Sequence, residues 1–387
     1  MSVNNTTFRF LAILSVLTVL NVTFLGFNHT RKENVPTCSV DDVLDGITNY
    51  IRGTGARDIE SVMPEVCKAV IRKTDVKQNL IASVNGLISV CLQRNASKTL
   101  HRTLPNPIVT LFTTWSETNS TEKKTVHNLT MRNWAQFKPM VEVVVFTNST
   151  EDAKLAKAYG ASVLPVLQHR GGGSPVLKWM FQEIMKDRIT STLFGYVNSD
   201  ILFTDKFVQT LQAIIRNKKL TRPFMIIGRR TNVLDVTLEE SETFSDLEKI
   251  AKTRGELFGA NAEDFFITNS AFPWAKIIDV VVGRLAFDNW IVGHAICELK
   301  IDVVDVSDTV LAVHQSTKAG GNYEGFQNKY AHYNAALFKA LALNPVYERG
   351  FTICTQERTF VSFCGEIMVT KRQDFWGPCD CHIIVKQ

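Results

Sequence analysis

The segment Asn198-Ser199-Asp200 has residue types and spacing that suit a metal site. It directly follows an apolar run, Thr192 to Val197, that predicts a strand. Ligand sites in open α/β sheets form just outside the carboxyl ends of strands, and a carboxylate there can bind Mg²⁺ or Mn²⁺, ions that prefer oxygen ligands. The alternative is a turn in which Asn198 and Asp200 only cap the next helix.

Asp288 and His314 are two further candidates. Asp288 opens a predicted helix after a glycine-containing loop, where a carboxylate could accept a proton from a bound hydroxyl or serve only as a helix N-cap. His314 ends an apolar strand, where a histidine could contact a metal or be purely structural. Both lie after Asp200 in the chain, so the fold would have to bring them back to it.

The strand followed by Asn198-Ser199-Asp200 resembles the Asp-x-Asp metal motif of glycosyltransferases with the GT-A fold. Asn198 stands where that family has its first acidic residue, and Asp200 keeps the last. The resemblance implies that Asp200 binds a divalent ion, Mn²⁺ or Mg²⁺, and that Asn198 contacts the donor ribose or a metal-bound water. His314 would supply a further metal ligand or a contact to the diphosphate.

The segment from Val282 to Val292 is similar to the acceptor side of inverting GT-A enzymes. This resemblance implies that Asp288 is the catalytic base and that Trp290 is a platform for the acceptor sugar, although a helical tryptophan is also a common core residue. Asp264 would bind an acceptor hydroxyl; its alternative is a surface acid beside an aromatic pair.

Two more positions follow from the same resemblance. Thr113, at the end of the first predicted strand, lies where the family holds the nucleotide base and ribose. Arg229, in Gly228-Arg229-Arg230-Thr231, would neutralise a diphosphate or an acidic acceptor. Gly171-Gly172-Gly173-Ser174 lacks the Walker pattern, so we interpret it as a flexible loop rather than a phosphate loop.

The elements that must position these residues begin near residue 105, where short apolar runs start to alternate with amphipathic stretches. This alternation predicts an α/β domain, here of GT-A (Rossmann-like) type, over residues 105–387 with a cysteine-rich tail. Predicted strands include Ile108 to Thr113, Val141 to Thr147, Phe224 to Gly228 and Phe265 to Thr268. Predicted helices include Glu151 to Tyr159, Pro175 to Lys186, Asp205 to Asn217 and Asn328 to Leu341.

Before this domain we predict a short cytoplasmic tail (residues 1–7), a transmembrane signal anchor (8–27) and a lumenal helical stem (28–104). A cleaved signal peptide is the alternative to the anchor. Asn-x-Ser/Thr sequons follow the apolar segment, at Asn28, Asn95, Asn119, Asn128 and Asn148. They favour a lumenal body, in a type II protein of the Golgi or another secretory-pathway membrane.

Eight cysteines agree with an oxidising compartment. We expect Cys354, Cys364, Cys379 and Cys381 to form disulfides that fasten the tail, with zinc binding by Cys379-Asp380-Cys381-His382 as a minor alternative. The stem holds three cysteines, Cys38, Cys67 and Cys91, so one of them could pair elsewhere in the chain, stay free, or pair between chains and form an oligomer.

Composition excludes several other classes. The chain of 387 residues is 45% hydrophobic and 21% charged, values typical of a globular protein. Its net charge of +5 is spread without long runs, so nucleic acid is not an expected partner. The expected partners are a nucleotide sugar donor, a glycan or glycoprotein acceptor, and the membrane.

The sequence therefore predicts an inverting, metal-dependent glycosyltransferase of hexosyl or N-acetylhexosaminyl type. One rival is a GT-A-like lumenal protein that binds glycans or a partner protein without catalysis, which the replacement at Asn198 favours. Another is a metal-dependent lumenal hydrolase, which would release product without an acceptor.

Overall fold

The computed structural model describes residues 107–115, 117–187, 190–317, 328–362, 365–373 and 376–382. The predicted tail, anchor and stem lie outside these residues, as do Cys364 and the sequons at Asn28 and Asn95. Among the described helices, none has the length and apolar character needed to cross a bilayer.

The described elements alternate between strand and helix along most of the chain. The strands are β1 Val109–Thr114, β2 Val141–Phe146, β3 Ser162–Leu164, β4 His169–Arg170, β5 Ser174–Pro175, β6 Leu193–Val197, β7 Ile201–Phe203, β8 Phe224–Ile227, β9 Arg230–Leu234, β10 Glu256–Leu257, β11 Phe265–Asn269, β12 Asp302–Asp305, β13 Ala312–Ser316, β14 Glu357–Val361 and β15 Ile367–Lys371. The α-helices are α1 Thr121–Ala135, α2 Thr150–Ala158, α3 Leu177–Asp187, α4 Lys206–Asn217, α5 Phe244–Arg254, α6 Phe287–Cys297 and α7 Tyr333–Ala340.

Nine of the described strands form one sheet in the order β15-β14-β12-β8-β11-β6-β1-β2-β3. Strands β3, β2, β1 and β6 are parallel, and β11 runs antiparallel to β6. After β1 the chain builds outwards to β2 and β3, then returns to add β6 on the other side of β1. The carboxyl ends of β1 and β6 therefore flank a topological switch point, the place where open α/β sheets bind ligands.

A second sheet of the described chain has the order β10-β9-β13-β7. In the described chain, the large sheet leads into this small sheet three times, from β6 to β7 through Asn198–Asp200, from β8 to β9 through Gly228 and Arg229, and from β12 to β13. Strand β13, which carries His314, pairs with both β7 and β9. The junction of the two sheets thus gathers residues that lie more than a hundred positions apart.

Two apolar clusters cover the two faces of the large sheet. One joins the sheet to α1 and α4 and contains the fully buried Trp134 and Phe207. The other joins it to α3 and α6 and contains Phe181 and Trp290. This three-layer arrangement confirms the predicted α/β class.

Two disulfides fasten the tail in the described chain, Cys354–Cys379 and Cys297–Cys381. The second corrects the expectation in part, because Cys381 bonds to the last residue of α6, which the sequence had not implicated. The zinc alternative is wrong, since Cys379 and Cys381 are both consumed by disulfides. Among the described residues, no group of three or more His, Cys, Asp or Glu side chains converges in a way that could hold a metal ion.

Candidate active site

The turn that carries Asp200 is held by helix α1 and strand β13. Thr130 Oγ1 donates to the Ser199 carbonyl at 2.8 Å, and Trp134 Nε1 donates to the Ile201 carbonyl at 2.9 Å. The backbone N–H of Gln315 donates to the Asp200 carbonyl at 3.0 Å. Because the backbone is fixed on both sides, the direction of the Asp200 side chain is determined by the surrounding fold.

Asp200 and His314 are in contact at the switch point. Asp200 Oδ2 lies 3.3 Å from His314 Nε2, and the two side chains are 18% and 7% exposed. His314 Nδ1 lies 2.9 Å from Ser316 Oγ, a contact that orients the ring. Burial alone would raise the pKa of Asp200, but His314 and Arg230 outweigh it and lower the pKa. Asp200 is therefore an anion at neutral pH.

This pair suits a divalent ion that is shared with a substrate. Two ligand atoms that sit about 2.1 Å from an ion at a right angle are about 3 Å apart, close to the separation of Asp200 Oδ2 and His314 Nε2. Asp200 Oδ1 is buried without a hydrogen-bond partner, so it has capacity to spare. Ions such as Mg²⁺ commonly take one or two protein carboxylates and complete their shell with waters and substrate phosphates.

Asn198, Arg230 and Asp264 form a second network beside this pair. Asn198 Nδ2 donates to Asp264 Oδ1 at 2.6 Å, and Arg230 Nη1 donates to both Asp264 oxygens at 3.1 Å. Asp264 is buried, which rules out the surface-acid alternative. The guanidinium also lies 4.4 Å over the ring of Phe258. Asp264 is thus the common acceptor for an amide and a cation from two other strand ends.

The arginine that joins this network is Arg230 rather than the predicted Arg229. Arg230 begins β9 and projects to Asp264, whereas the contacts of Arg229 are a backbone bridge with Glu263 and a backbone N–H that donates to Ser307 Oγ at 2.8 Å. Sequence reasoning could not choose between two adjacent arginines, because the choice depends on where the strand begins.

Asp288 lies in the first turn of α6. The N-cap of this helix is Ala286, in the left-handed conformation at φ 72°, so the alternative of Asp288 as N-cap is wrong. Asp288 Oδ1 accepts from the backbone N–H of Asn289 at 2.9 Å. Burial of the carboxyl, reinforced by the nearby Asp264, raises its pKa to about 6. The positive charge of Arg230 acts to lower the pKa of Asp288 and also that of Asp200. The two carboxylates therefore belong to one electrostatic cluster.

Two predicted contacts are placed differently by the structure. Trp290 is 6% exposed and stacks on His294 and Phe338, which agrees with the core alternative rather than with an acceptor platform. Thr113 lies in β1, fully buried, with a hydroxyl that has no hydrogen-bond partner. It is therefore near the carboxyl end of β1 without presenting a surface to solvent.

Trp115, which follows Thr113 in the segment predicted to hold the nucleotide, stacks on His127, a residue that the sequence did not indicate. Their ring centroids are 4.4 Å apart at an angle of 3°, and Trp115 Nε1 and His127 Nδ1 are both buried without a partner. Burial lowers the pKa of His127 to about 4, despite the opposing influence of Asp200. A neutral imidazole on α1 therefore lies within the electrostatic influence of Asp200.

The sequon at Asn148 is tied to the neighbouring loop. Its side chain accepts from the Val166 N–H at 2.9 Å and donates to the Val166 carbonyl at 3.4 Å, at an exposed position. The sequon at Asn128 has a structural reason for its third residue, because Thr130 supports the Asp200 turn.

Comparison with known proteins adds little to this picture. No family model matches the chain, and no curated protein matches it. Solved structures with some likeness include glucosyl-3-phosphoglycerate synthase from Mycobacterium tuberculosis in complex with Mg²⁺ and uridine-diphosphate (8% identity, TM-score 0.33, covering 66% of this chain and 84% of that one). They also include CMP:2-keto-3-deoxy-manno-octonic acid synthetase complexed with CTP (9%, 0.30, 59% and 98%) and a mycobacterial protein (9%, 0.34, 73% and 87%). At such TM-scores, these likenesses assign neither a family nor an activity to this chain.

Proposed function

We propose that this chain is a metal-dependent glycosyltransferase that moves a sugar from a nucleoside diphosphate sugar to a hydroxyl of a glycan or glycoprotein. One observation carries the proposal. At the switch point of the sheet, the Asp200 carboxylate lies against His314, keeps one oxygen without a hydrogen-bond partner, and shares the influence of Arg230 with Asp288, a carboxyl whose pKa is raised to about 6. An anion suited to a metal, in one electrostatic cluster with a poised base, suits transfer of a sugar from a nucleoside diphosphate.

Asp200 and His314 would hold Mn²⁺ or Mg²⁺, and a bound ion would neutralise the charge of the departing diphosphate. Arg230 already pairs with Asp264, so its role is to make the electrostatic potential around Asp200 and Asp288 more positive and to keep Asp264 in place. Asn198, held by Asp264, keeps the turn in the geometry that directs Asp200 inward.

Asp288 would act as the general base. It would take the proton of the acceptor hydroxyl as the oxygen forms a bond to the anomeric carbon and the bond from that carbon to the diphosphate oxygen breaks. A pKa of about 6 leaves Asp288 mostly ionised at neutral pH yet makes it a stronger base than an ordinary aspartate. Attack from the face opposite the leaving group inverts the anomeric centre.

The test uses the purified full chain with a panel of nucleotide sugars and mixed glycan acceptors, with Mn²⁺ or EDTA. We expect one donor to be consumed with Mn²⁺, and Asp200→Asn and Asp288→Asn each to lower turnover by at least about 100-fold. Asp205→Asn is the matched control, because Asp205 is an exposed aspartate on the same chain segment. Thermal shifts with each donor, measured beside turnover, report binding.

The outcomes separate the rivals. Donor-dependent thermal shifts without turnover on any acceptor would support the non-catalytic binding protein. Release of free sugar in the absence of acceptor would support a hydrolase. Turnover that is unchanged in Asp200→Asn would exclude the metal role of Asp200.

We also propose a lumenal location, with residues 8–27 as a type II anchor in a Golgi or other secretory-pathway membrane. The two disulfides support an oxidising compartment, because such bonds are rare in the cytosol. A membrane preparation treated with protease tests this, since a lumenal body stays intact until detergent is added. Sensitivity without detergent would place the body on the cytosolic side.

A further inference from the structure

Glu263 is a buried carboxyl that none of the steps above uses. Glu263 is 2% exposed and lies directly before Asp264, two residues before the start of β11. Oε2 accepts from Asn289 Nδ2 at 2.8 Å, whereas Oε1 is buried without a hydrogen-bond partner. In the described chain, no lysine or arginine side chain forms an ion pair with it.

Asn289 connects this carboxyl to the proposed base. Its backbone N–H donates to Asp288 Oδ1 at 2.9 Å, and its side-chain amide donates to Glu263 and, at 3.3 Å, to the Asn261 carbonyl. A Cβ added to Gly350 would lie 1.9 Å from the Asn289 carbonyl oxygen, so the first turn of α6 is packed tightly from that side as well. Glu263 is therefore one of the anchors that fix the residue next to Asp288.

The surroundings of Glu263 oppose a negative charge. Burial and the carboxylates of Asp288, Asp264 and Asp305 together raise the pKa of Glu263 well above its usual value. The nearby cations serve other carboxylates, since Arg230 pairs with Asp264 at 3.1 Å and Arg372 pairs with Asp305 at 2.8 Å. Arg229 contacts the segment through its backbone bridge. An unpaired anion in such a place is strongly unfavourable, and a neutral acid is the alternative.

We propose that Glu263 is a positioning residue, a neutral carboxylic acid that holds Asp288 in place through Asn289. A neutral acid accepts the Asn289 amide without adding a like charge beside the base. This role rests on the proposed function only in so far as Asp288 is the base, while the protonation of Glu263 and its link to Asn289 are properties of the fold.

The first test needs no turnover. Infrared spectra of the full chain at pH 8 should show the stretch of a protonated carboxyl that disappears in Glu263→Gln and persists in Asp288→Asn. A wild-type spectrum identical to that of Glu263→Gln at pH 8 would overturn the neutral-acid assignment. This result stands whether or not the chain transfers sugar, so it separates failure of this inference from failure of the proposed function.

The second test uses turnover as a function of pH. Glu263→Gln keeps an acceptor for the Asn289 amide. We therefore expect its kcat to stay within about twofold of wild type and the acidic side of its pH–kcat profile to stay at the same pH. Glu263→Ala and Asn289→Ala should each lower kcat by roughly 100-fold with little change in donor KM, because the base is misplaced. The double variant should be no worse than either single variant, since both remove one link.

Two results would overturn the positioning role. Additive losses in the double variant would show that Glu263 and Asn289 act separately. An acid limb that moves down by about one pH unit in Glu263→Gln would show that Glu263 is ionised and acts on Asp288 by charge. If Glu263→Ala does not fold, Asn289→Ala and the pH profile of Glu263→Gln still distinguish a neutral positioning residue from a charged one.

Discussion

Replacing Asp288 by asparagine should stabilise the protein while removing its proposed base. The substitution keeps the size of the side chain and leaves an oxygen to accept the Asn289 N–H, the contact that Asp288 Oδ1 makes at 2.9 Å. What it removes is a charge that the folded protein holds at a disadvantage, as the raised pKa of about 6 shows. Sites that hold a reactive group in this way commonly trade stability for activity.

The magnitude follows from the shift in the pKa of Asp288, from 3.8 to about 6. About two pKa units correspond to at most about 3 kcal/mol, and the partial exposure of the residue reduces the expected effect to about 2 kcal/mol. Because the folded pKa is the higher one, the native state of the wild type binds more protons between pH 4 and 6, and its stability falls as pH rises through that window. The asparagine variant lacks this loss.

The assay is thermal unfolding of the full chain and of Asp288→Asn between pH 4.5 and 8. The difference in Tm should be small at pH 4.5, grow up to about pH 7 and then level off at about 3 °C in favour of the variant. Asp205→Asn, an exposed aspartate, is the control and should give no such pH-dependent difference. A Tm difference that is the same at all pH values, or a variant that is less stable than wild type at pH 8, would refute the conclusion that the charge of Asp288 destabilises the folded protein.

Three further substitutions test the fold around the site. Gly350→Ala places a Cβ 1.9 Å from a backbone oxygen of α6 and should lower the unfolding free energy by about 3 kcal/mol, whereas Gly377→Ala, with nothing within 4 Å, should be nearly neutral in the same denaturation assay. Removing the Cys297–Cys381 disulfide, which spans 84 residues, should lower stability by about 4.5 kcal/mol in urea unfolding, and an unchanged midpoint would contradict this. Asn198→Asp should lower the unfolding free energy by about 2 kcal/mol at pH 8 and by less at pH 5, because one of the two carboxyls can take up a proton at the lower pH. Thermal unfolding at the two pH values measures this difference. An equal loss of stability at both pH values would exclude charge repulsion as the cause.

The strands of the large sheet were predictable because buried strands appear in the sequence as nearly continuous apolar runs. Strand β2 pairs with β1 on one edge and β3 on the other, and all of its residues except Glu142 are apolar and buried, as is typical of a parallel strand covered on both faces. Helix α1 was missed for the opposite reason. Its buried face mixes apolar residues such as Trp134 with polar ones such as Asn133, whose side chain exchanges two hydrogen bonds with the backbone of Phe203, so the sequence shows no regular apolar period.

The candidate site was predictable in part. Asp200 and Asp264 stand at strand ends, and strand ends are visible in the sequence. The meeting of Asp200 with His314 depends on the pairing of β13 with β7, a contact across more than a hundred residues that no local pattern specifies. The burial of Trp290 has a local signature, since α6 is apolar almost all round and such a helix is a core helix.

Asn198 is the feature that gave the non-catalytic rival its support, and the network around it supplies a different reason for an amide. Asn198 Nδ2 donates to Asp264 Oδ1 at 2.6 Å, while Arg230 donates to the same carboxylate. An aspartate at position 198 could not donate this bond when ionised, and it would place a like charge against Asp264. An amide is therefore what the Asp264–Arg230 pair requires there, and Asp200 is left as the carboxylate of the turn that faces His314. The replacement at Asn198 consequently gives the non-catalytic interpretation no independent support.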